Sequence, residues 1–543
     1  MIEPSPEQTT DTPPADQTVT PSAPVDPAAG IDRDNWQDPD NVRWSFQNVA
    51  RVLPTTPISR GTGPVAELPA DLQDLGEVEV PATEYSEARS VRSVIESTDT
   101  DAWMFMHNGT VLTEEYFGEM SASTEHLLMS VSKSLVGTVA GVLVGSGDLD
   151  PNRLITDYVP ELAESGYAGA TVRHILDMRS GIRFSEDYLD PKSEVRQIEE
   201  SIGWSEAKRE NPGIGMYEFL TTLEAKSEHG GVFEYRSCET DVLGWVCEKI
   251  AGERMQSLMS RVLWSRIGAE QDAVIATDQY GVGMFDGGIN TTLRDLARFG
   301  FVYTNRGLSL TGQQVAPTTW IGDTLTTTED VRQAFADGPG DNRMPGGAYH
   351  NQFWFPFPDS HAFLALGIHG QMIYMNPGAN VLGVKLSSWG LPQDAGKLFP
   401  TIRAFEALAK AVNSPPRSRR SPLPRSLTCL RLQRAPARMC PNRHRCRRIC
   451  TPSRGFRQSA MAESRCIDNA CDRLSAKEKH DDPDSPVHLD APPADGGRWN
   501  RTRPVPDGLR RLRRGRTRRG SEVRSGADRE GRLRRRCRRV GRA

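Results

Sequence analysis

Ser130 and Lys133 stand three residues apart in Ser130-Val131-Ser132-Lys133. On a helix this spacing puts the lysine amine beside the serine hydroxyl. A serine hydroxyl is a weak nucleophile until a base takes its proton or a positive field stabilises its anion. Lysine supplies the base if burial lowers its pKa, and the field if it stays charged. The helix N-terminus adds backbone N–H groups and partial positive charge, suited to the oxyanion of an acyl intermediate. The chemistry implied is acyl transfer through Ser130.

S-x-x-K alone says little, because ordinary composition produces it roughly once or twice in a chain this long. A second copy, Ser205-Glu206-Ala207-Lys208, lies in the polar run GWSEAKREN and reads as a solvated helix or loop. Ser130 instead sits in the apolar stretch LLMSVSKSLVGTVAGVLV (127–144), where a buried lysine is costly unless it has a role. Two further elements can join it. Tyr235, in FEYRS just ahead of a helical segment, can approach the serine and shuttle its proton, and Lys133 and Arg236 would favour its phenolate. Gly367-Ile368-His369-Gly370-Gln371 falls between two late strands, where glycines let an edge approach a substrate and offer a backbone N–H to an oxyanion. Taken singly, the first could be a satisfied half-buried tyrosine and the second a tight turn.

These residues need a scaffold. AWMFMH and VLTEEYF flank Asn108-Gly109, so Ala102–Phe117 predicts a hairpin. The 127–144 stretch predicts a helix opened by serines, and further helices are expected around 171–179, 239–252 and 292–304. Short apolar runs at 353–357, 362–368, 372–375 and 381–387 predict strands, and TIRAFEALAKAV predicts a closing helix over 395–412. Strands early and late around a helical middle imply an α+β domain. An antiparallel sheet is flanked by helices, with a helical subdomain inserted over about 145–285.

Composition sets the limits of that domain. Residues 415–543 carry 36 Lys and Arg against 13 Asp and Glu, leaving 30 against 58 for residues 1–414. Residues 1–33 are rich in Pro, Thr, Asp and Ala and are expected to be disordered, with the fold beginning near Asn35–Trp36. The expected domain spans 34–414. It is acidic, which disfavours nucleic acid and anionic membranes and points to small-molecule partners. The chain opens without a basic region followed by an apolar one, and it has no apolar run long enough to span a bilayer. Only Cys238 and Cys247 precede residue 415, which suits a reducing cytoplasm. The Arg-rich tail reads as a disordered extension with no selected function, of the kind that out-of-frame translation gives. The lesser readings are a basic arm for nucleic acid, on an inert hydrolase-like body, and a metal site from Cys440, His444, Cys446 and Cys450. No metal or cofactor is expected. G-x-S-x-G, H-E-x-x-H and the P-loop pattern are all absent from the sequence.

MSVSKSL, FEYRSCETDVLGWV and TVRHILDMRSGI together resemble the β-lactamase and penicillin-binding-protein-like serine hydrolases. Within that superfamily NWQDPDNVRW, EDYLDPKSEV, YEFLTTL, GIHGQ and VKLSSW follow the order of the 6-aminohexanoate-dimer hydrolases and the carboxylesterases related to them, over about residues 34–410. The resemblance implies Ser130 as acylated nucleophile, Lys133 as its proton acceptor or electrostatic activator, and Tyr235 as general acid/base. The N–H groups of Ser130 and Ile368 would form the oxyanion hole. Tyr188 would close over the substrate and donate to the leaving nitrogen, and Asp286, Glu199 and His369 would line the substrate site. Asp286 stands where the nylon-oligomer enzymes have Asn, and Glu199, where some have Asp, keeps a carboxylate for a substrate ammonium. Their late histidine has no counterpart in GLPQDAGKLFP. Ser237 departs from the β-lactamase Y-x-N, and Gly367 follows Ala365-Leu366 rather than a lysine-containing K-T-G. The expected function is therefore hydrolysis of small linear amides or esters, with β-lactamase or DD-peptidase activity as the alternative.

Overall fold

Asn108 and Gly109 take left-handed φ values of 51° and 76°, as a type I′ turn requires. They join Thr100–His107 to Thr110–Tyr116 in an antiparallel hairpin. The computed structural model describes residues 30–414 except 85, 207–212 and 359. The basic tail with its cysteines, most of the leading segment, and Lys208 of the second S-x-x-K lie outside the described residues.

The hairpin forms one edge of a seven-stranded antiparallel sheet. Its order is Thr110–Tyr116, Thr100–His107, Val381–Ser387, Gln371–Asn376, Phe363–Gly367, Phe353–Phe355, Ala348–His350. Val381–Ser387 is buried along its whole length, so each face must be covered. The helix Leu293–Thr304 covers one face, where Gly300 packs on Leu382 and Ile373. The helix Ala395–Val412 covers the other, where Phe405 lies against Gly383 and stacks on Phe105 and Tyr374. Leu382 and Gly383, adjacent in sequence, thus serve opposite faces, the period-two rule of a strand.

The middle of the chain is helical, with Val131–Ser146, Val172–Leu176, Glu194–Ser201, Met216–Thr221 and Ser237–Ala251. The expected insertion over 145–285 takes in one segment that is a strand. Ala273–Ala276 pairs with Thr55–Ile58 and Ile289–Thr291 in a second sheet whose edge is His126–Leu127. That sheet also shortens the predicted helix at 127. His126 and Leu127 are extended, Met129 turns the chain at φ 46°, and the helix starts only at Val131. The fold is entered before Asn35: Ile31 is buried, and the Trp36 indole donates to the Trp204 carbonyl at 3.0 Å.

The edge hairpin Ala348–Phe355 turns at Asn351 and Gln352, both left-handed. Its tip is buried among helices rather than exposed to solvent. The Gln352 amide donates to the Ile175 carbonyl at 2.9 Å and its carbonyl oxygen accepts from Thr240 at 2.8 Å. Its backbone oxygen accepts from Ser134 at 2.7 Å.

Candidate active site

The left-handed turn at Met129 places Ser130 at the mouth of the helix, with Lys133 one turn in. Lys133 is 1% exposed. Its ammonium donates to Ser130 Oγ at 3.0 Å, Ser237 Oγ at 3.0 Å and the Asp286 carbonyl at 2.7 Å. Three acceptors match the three protons of an ammonium, whereas a neutral amine has two. Burial by itself would lower the Lys133 pKa. Tyr235 once ionised, and the carboxylates of Asp286, Glu186 and Asp241, more than offset that, so it stands above its ordinary value. This geometry suits a charged ammonium beside Ser130 Oγ.

Tyr235 is held by aromatic packing. Its ring stacks on Trp354 at 5.2 Å, meets Tyr349 edge-on at 5.9 Å, and lies under the Lys133 ammonium at 5.3 Å. Burial raises its pKa, and Lys133 and Ser130 pull it down by less. Its hydroxyl therefore titrates above the ordinary phenol range, which disfavours the phenolate anticipated. Arg236 does not help, because its guanidinium pairs with Glu239 at 3.1 Å and with Glu234.

A buried acidic frame supports these groups. The Ser237 N–H donates to Glu186, and the Asp286 N–H donates to Asp241 Oδ1 at 3.1 Å. Burial and the neighbouring Asp286 hold Asp241 well above the usual carboxylate range. The spacing contains a partial signal for two of these residues: Glu186 precedes Tyr188 by two, and Asp241 follows Ser237 by four, on one helix face.

The strand end that carries Ile368 packs against the turn before Ser130 because Gly367 has no side chain. A Cβ there would fall 2.5 Å from the Leu128 carbonyl oxygen and 3.1 Å from Met129 Cβ. Both Ser130 and Ile368 line a cavity of about 480 Å³. His369 is a correction. At φ 58° the chain turns its ring inward, where Nδ1 contacts the Trp389 carbonyl at 2.6 Å and the ring meets Phe46. It is 1% exposed, and burial lowers its pKa to about 4. It packs rather than lining the substrate site.

Behind Ser130, buried Asp101 accepts from the His126 ring at 3.2 Å, Ser388 at 3.1 Å and Arg43 at 2.9 Å. His126 begins the strand that leads to Ser130. Ser388 precedes Trp389, whose N–H donates to the His369 carbonyl. One carboxylate thereby ties together the approaches to Ser130 and Ile368.

Tyr188, Glu199 and Asp286 gather around Ser130. All three line a narrow space of about 40 Å³ together with Ser130 and Ile368. Glu199 accepts from Arg196 at 2.5 Å, and burial raises it to about 7 against the pull of that arginine. Asp286 Oδ2 lies 3.5 Å from Lys133. Tyr188 also borders the 480 Å³ cavity and an outer cleft of about 730 Å³.

An antiparallel sheet covered by helices, with a serine–lysine pair and a facing tyrosine, defines a class, and residues 91–406 match the Beta-lactamase family. The chain belongs to that family and is a serine hydrolase acting on amide or ester bonds. It is 36% identical over 382 residues to the 6-aminohexanoate-dimer hydrolase of Paenarthrobacter ureafaciens, a match covering 69% of this chain and 94% of that protein. A Bacillus anthracis structure assigned as a 6-aminohexanoate-dimer hydrolase superposes with a TM-score of 0.65 at 25% identity, covering 72% of this chain and 99% of that one. Among the described residues no helix is long and apolar enough to cross a membrane.

Proposed function

We propose that Ser130 is acylated by small linear amides or esters and that water then releases the acyl group. The observation that carries this reading is the threefold donation of Lys133 to Ser130, Ser237 and the Asp286 carbonyl. Lys133 stays charged and stabilises the developing alkoxide. Ser130 Oγ bonds to the carbonyl carbon while its proton passes to the Tyr235 oxygen, and Tyr235 gives its own proton to the leaving nitrogen or oxygen. The carbonyl oxygen takes negative charge between the Ser130 and Ile368 N–H groups. Tyr188 closes over the scissile bond. In the second half, water attacks the ester and the proton relay runs in reverse.

A penicillin-type substrate is disfavoured. Ala365 and Leu366 stand before Gly367, so the strand beside the site brings no cation to a ring carboxylate. We place the enzyme in the cytoplasm, with support from Cys238 and Cys247, both buried free thiols. The test is a fluorophosphonate probe with a panel of p-nitrophenyl esters and linear amides that includes 6-aminohexanoate dimer. Label on Ser130, lost with activity in Ser130→Ala, is expected. An unlabelled wild type that Ser130→Ala matches in activity would refute the assignment.

A further inference from the structure

The ladder between Gln371–Asn376 and Val381–Ser387 runs from Asn376 opposite Val381 to Met372 opposite Lys385. Continued in register, it would set Gly370 against Ser387. Gly370 instead turns away at φ 93°, where a Cβ would lie 2.2 Å from the Trp389 ring. The main chain thus leaves the sheet just where it must carry Ile368 toward Ser130.

The Gln371 side chain takes the place of the departed backbone. Its Oε1 accepts from the Ser387 N–H at 3.0 Å, and its Nε2 donates to the Ser387 carbonyl at 2.7 Å. A carboxamide offers the donor and acceptor of a peptide group, so the ladder is completed by a side chain. The other Nε2 proton faces the turn. It is shared between the Ile368 carbonyl at 3.4 Å and the His369 carbonyl at 3.3 Å, a three-centre bond. Gln371 is 1% exposed, so solvent does not substitute for these bonds.

We infer that Gln371 is a positioning residue of this hydrolase: its amide fixes the Ile368–His369 turn to the end of Val381–Ser387 and so sets where the Ile368 N–H stands. The inference rests on the acyl-enzyme reading above, in which that N–H receives the oxyanion, and adds the group that holds it there. Gln371→Glu keeps the size and the acceptor for Ser387 but turns a carboxylate on three carbonyl oxygens. Gln371→Leu removes all four contacts. Gln371→Asn keeps the amide but stops one carbon short of its partners.

The test measures kcat and KM for p-nitrophenyl acetate on the full chain, per mole of Ser130 titrated to completion with a fluorophosphonate. Loss of folded enzyme is then not counted as loss of rate. Acylation and deacylation pass through the same oxyanion, so kcat and kcat/KM should fall together. We expect a loss on the order of 100-fold in Gln371→Glu and Gln371→Leu, and about tenfold in Gln371→Asn, with KM within about twofold. Should Gln371→Leu not fold, the other two variants carry the comparison. Lys385→Met is the control: Lys385 donates to the Ser387 hydroxyl and to the Thr98 carbonyl at 3.0 Å, so its loss loosens the same strand end and leaves the Gln371 amide bonded. Its kcat should stay within about twofold of wild type. An unchanged kcat in the Gln371 variants, a rise in KM alone, or an equal loss in Lys385→Met overturns this inference and leaves the hydrolase reading standing. A wild type without ester turnover and without label on Ser130 overturns both.

Discussion

Lys133 reaches Asp286 twice, through the carbonyl oxygen at 2.7 Å and the carboxylate at 3.5 Å. The first contact fixes where the ammonium sits, and the second helps to keep it charged. Asp286→Asn keeps the first and removes the second. A nearby anion favours the protonated amine, so its removal lowers the Lys133 pKa. The alkaline limb of the kcat/KM profile is expected to move to lower pH, with less than about a tenfold loss at neutrality. An unmoved or upward-shifted limb would mean that the charge of Lys133 does not govern the rate.

Gly367 is where the strand edge meets the turn before Ser130. Gly367→Ala would set a methyl group 2.5 Å from the Leu128 oxygen. That forces Ile368 away from Ser130, and a misplacement of about 1 Å at such a site costs on the order of 100-fold in rate. We expect that loss in kcat with KM changed much less. Equal loss in both, or none, would show that Ile368 does not contribute to the transition state.

Asp101 is buried with three donors directed at it. Asp101→Ala leaves His126 and Ser388 without their acceptor, a loss of about 3 kcal/mol in unfolding free energy. Denaturant titration measures it. A change below about 1 kcal/mol would show that the pocket refills with other partners.

His350 supplies a pH signature. It is 7% exposed, with Nδ1 2.8 Å from Asp177 in the geometry of an ion pair. Burial alone would lower it, but Asp177 and Asp323 outweigh burial and raise it from 6.5 to about 9. The folded state then holds the proton more tightly than the unfolded one. The stabilisation is complete below about pH 6.5 and is lost as pH rises through about 9, on the order of 3 kcal/mol in all. His350→Gln should flatten the fall in unfolding free energy between those values. An equally steep fall in the variant would assign it to another group.

Features set by neighbours in the chain were readable before the fold was known. Ser130 and Lys133 are related by helical spacing, Asn108-Gly109 announces its own turn, and the strand Val381–Ser387 and the helix Ala395–Val412 keep their expected bounds. Features that depend on distant partners were not. The 127–144 run looks uniformly helical, yet Leu127 is extended because it pairs with Asn290, as His126 before it pairs with Thr291. His369 shares a motif with Ile368, but a left-handed φ sends its ring into the core. Tyr235 was legible as a neighbour of Lys133, while the direction of its pKa was not. That depends on Arg236 turning to Glu239 and on the depth of aromatic cover.

The embedding of Gln352 among the helices ties the two halves of the molecule into one cooperative unit. Its bonds to Ile175, Thr240 and Ser134 mean that the helical layer cannot open locally while the edge hairpin stays docked. Amides in Val172–Leu176 should then exchange with solvent only on global unfolding, as slowly as those of the central strand. A scaffold that melts as a whole holds Ser130 in register with Ile368 until it is lost altogether.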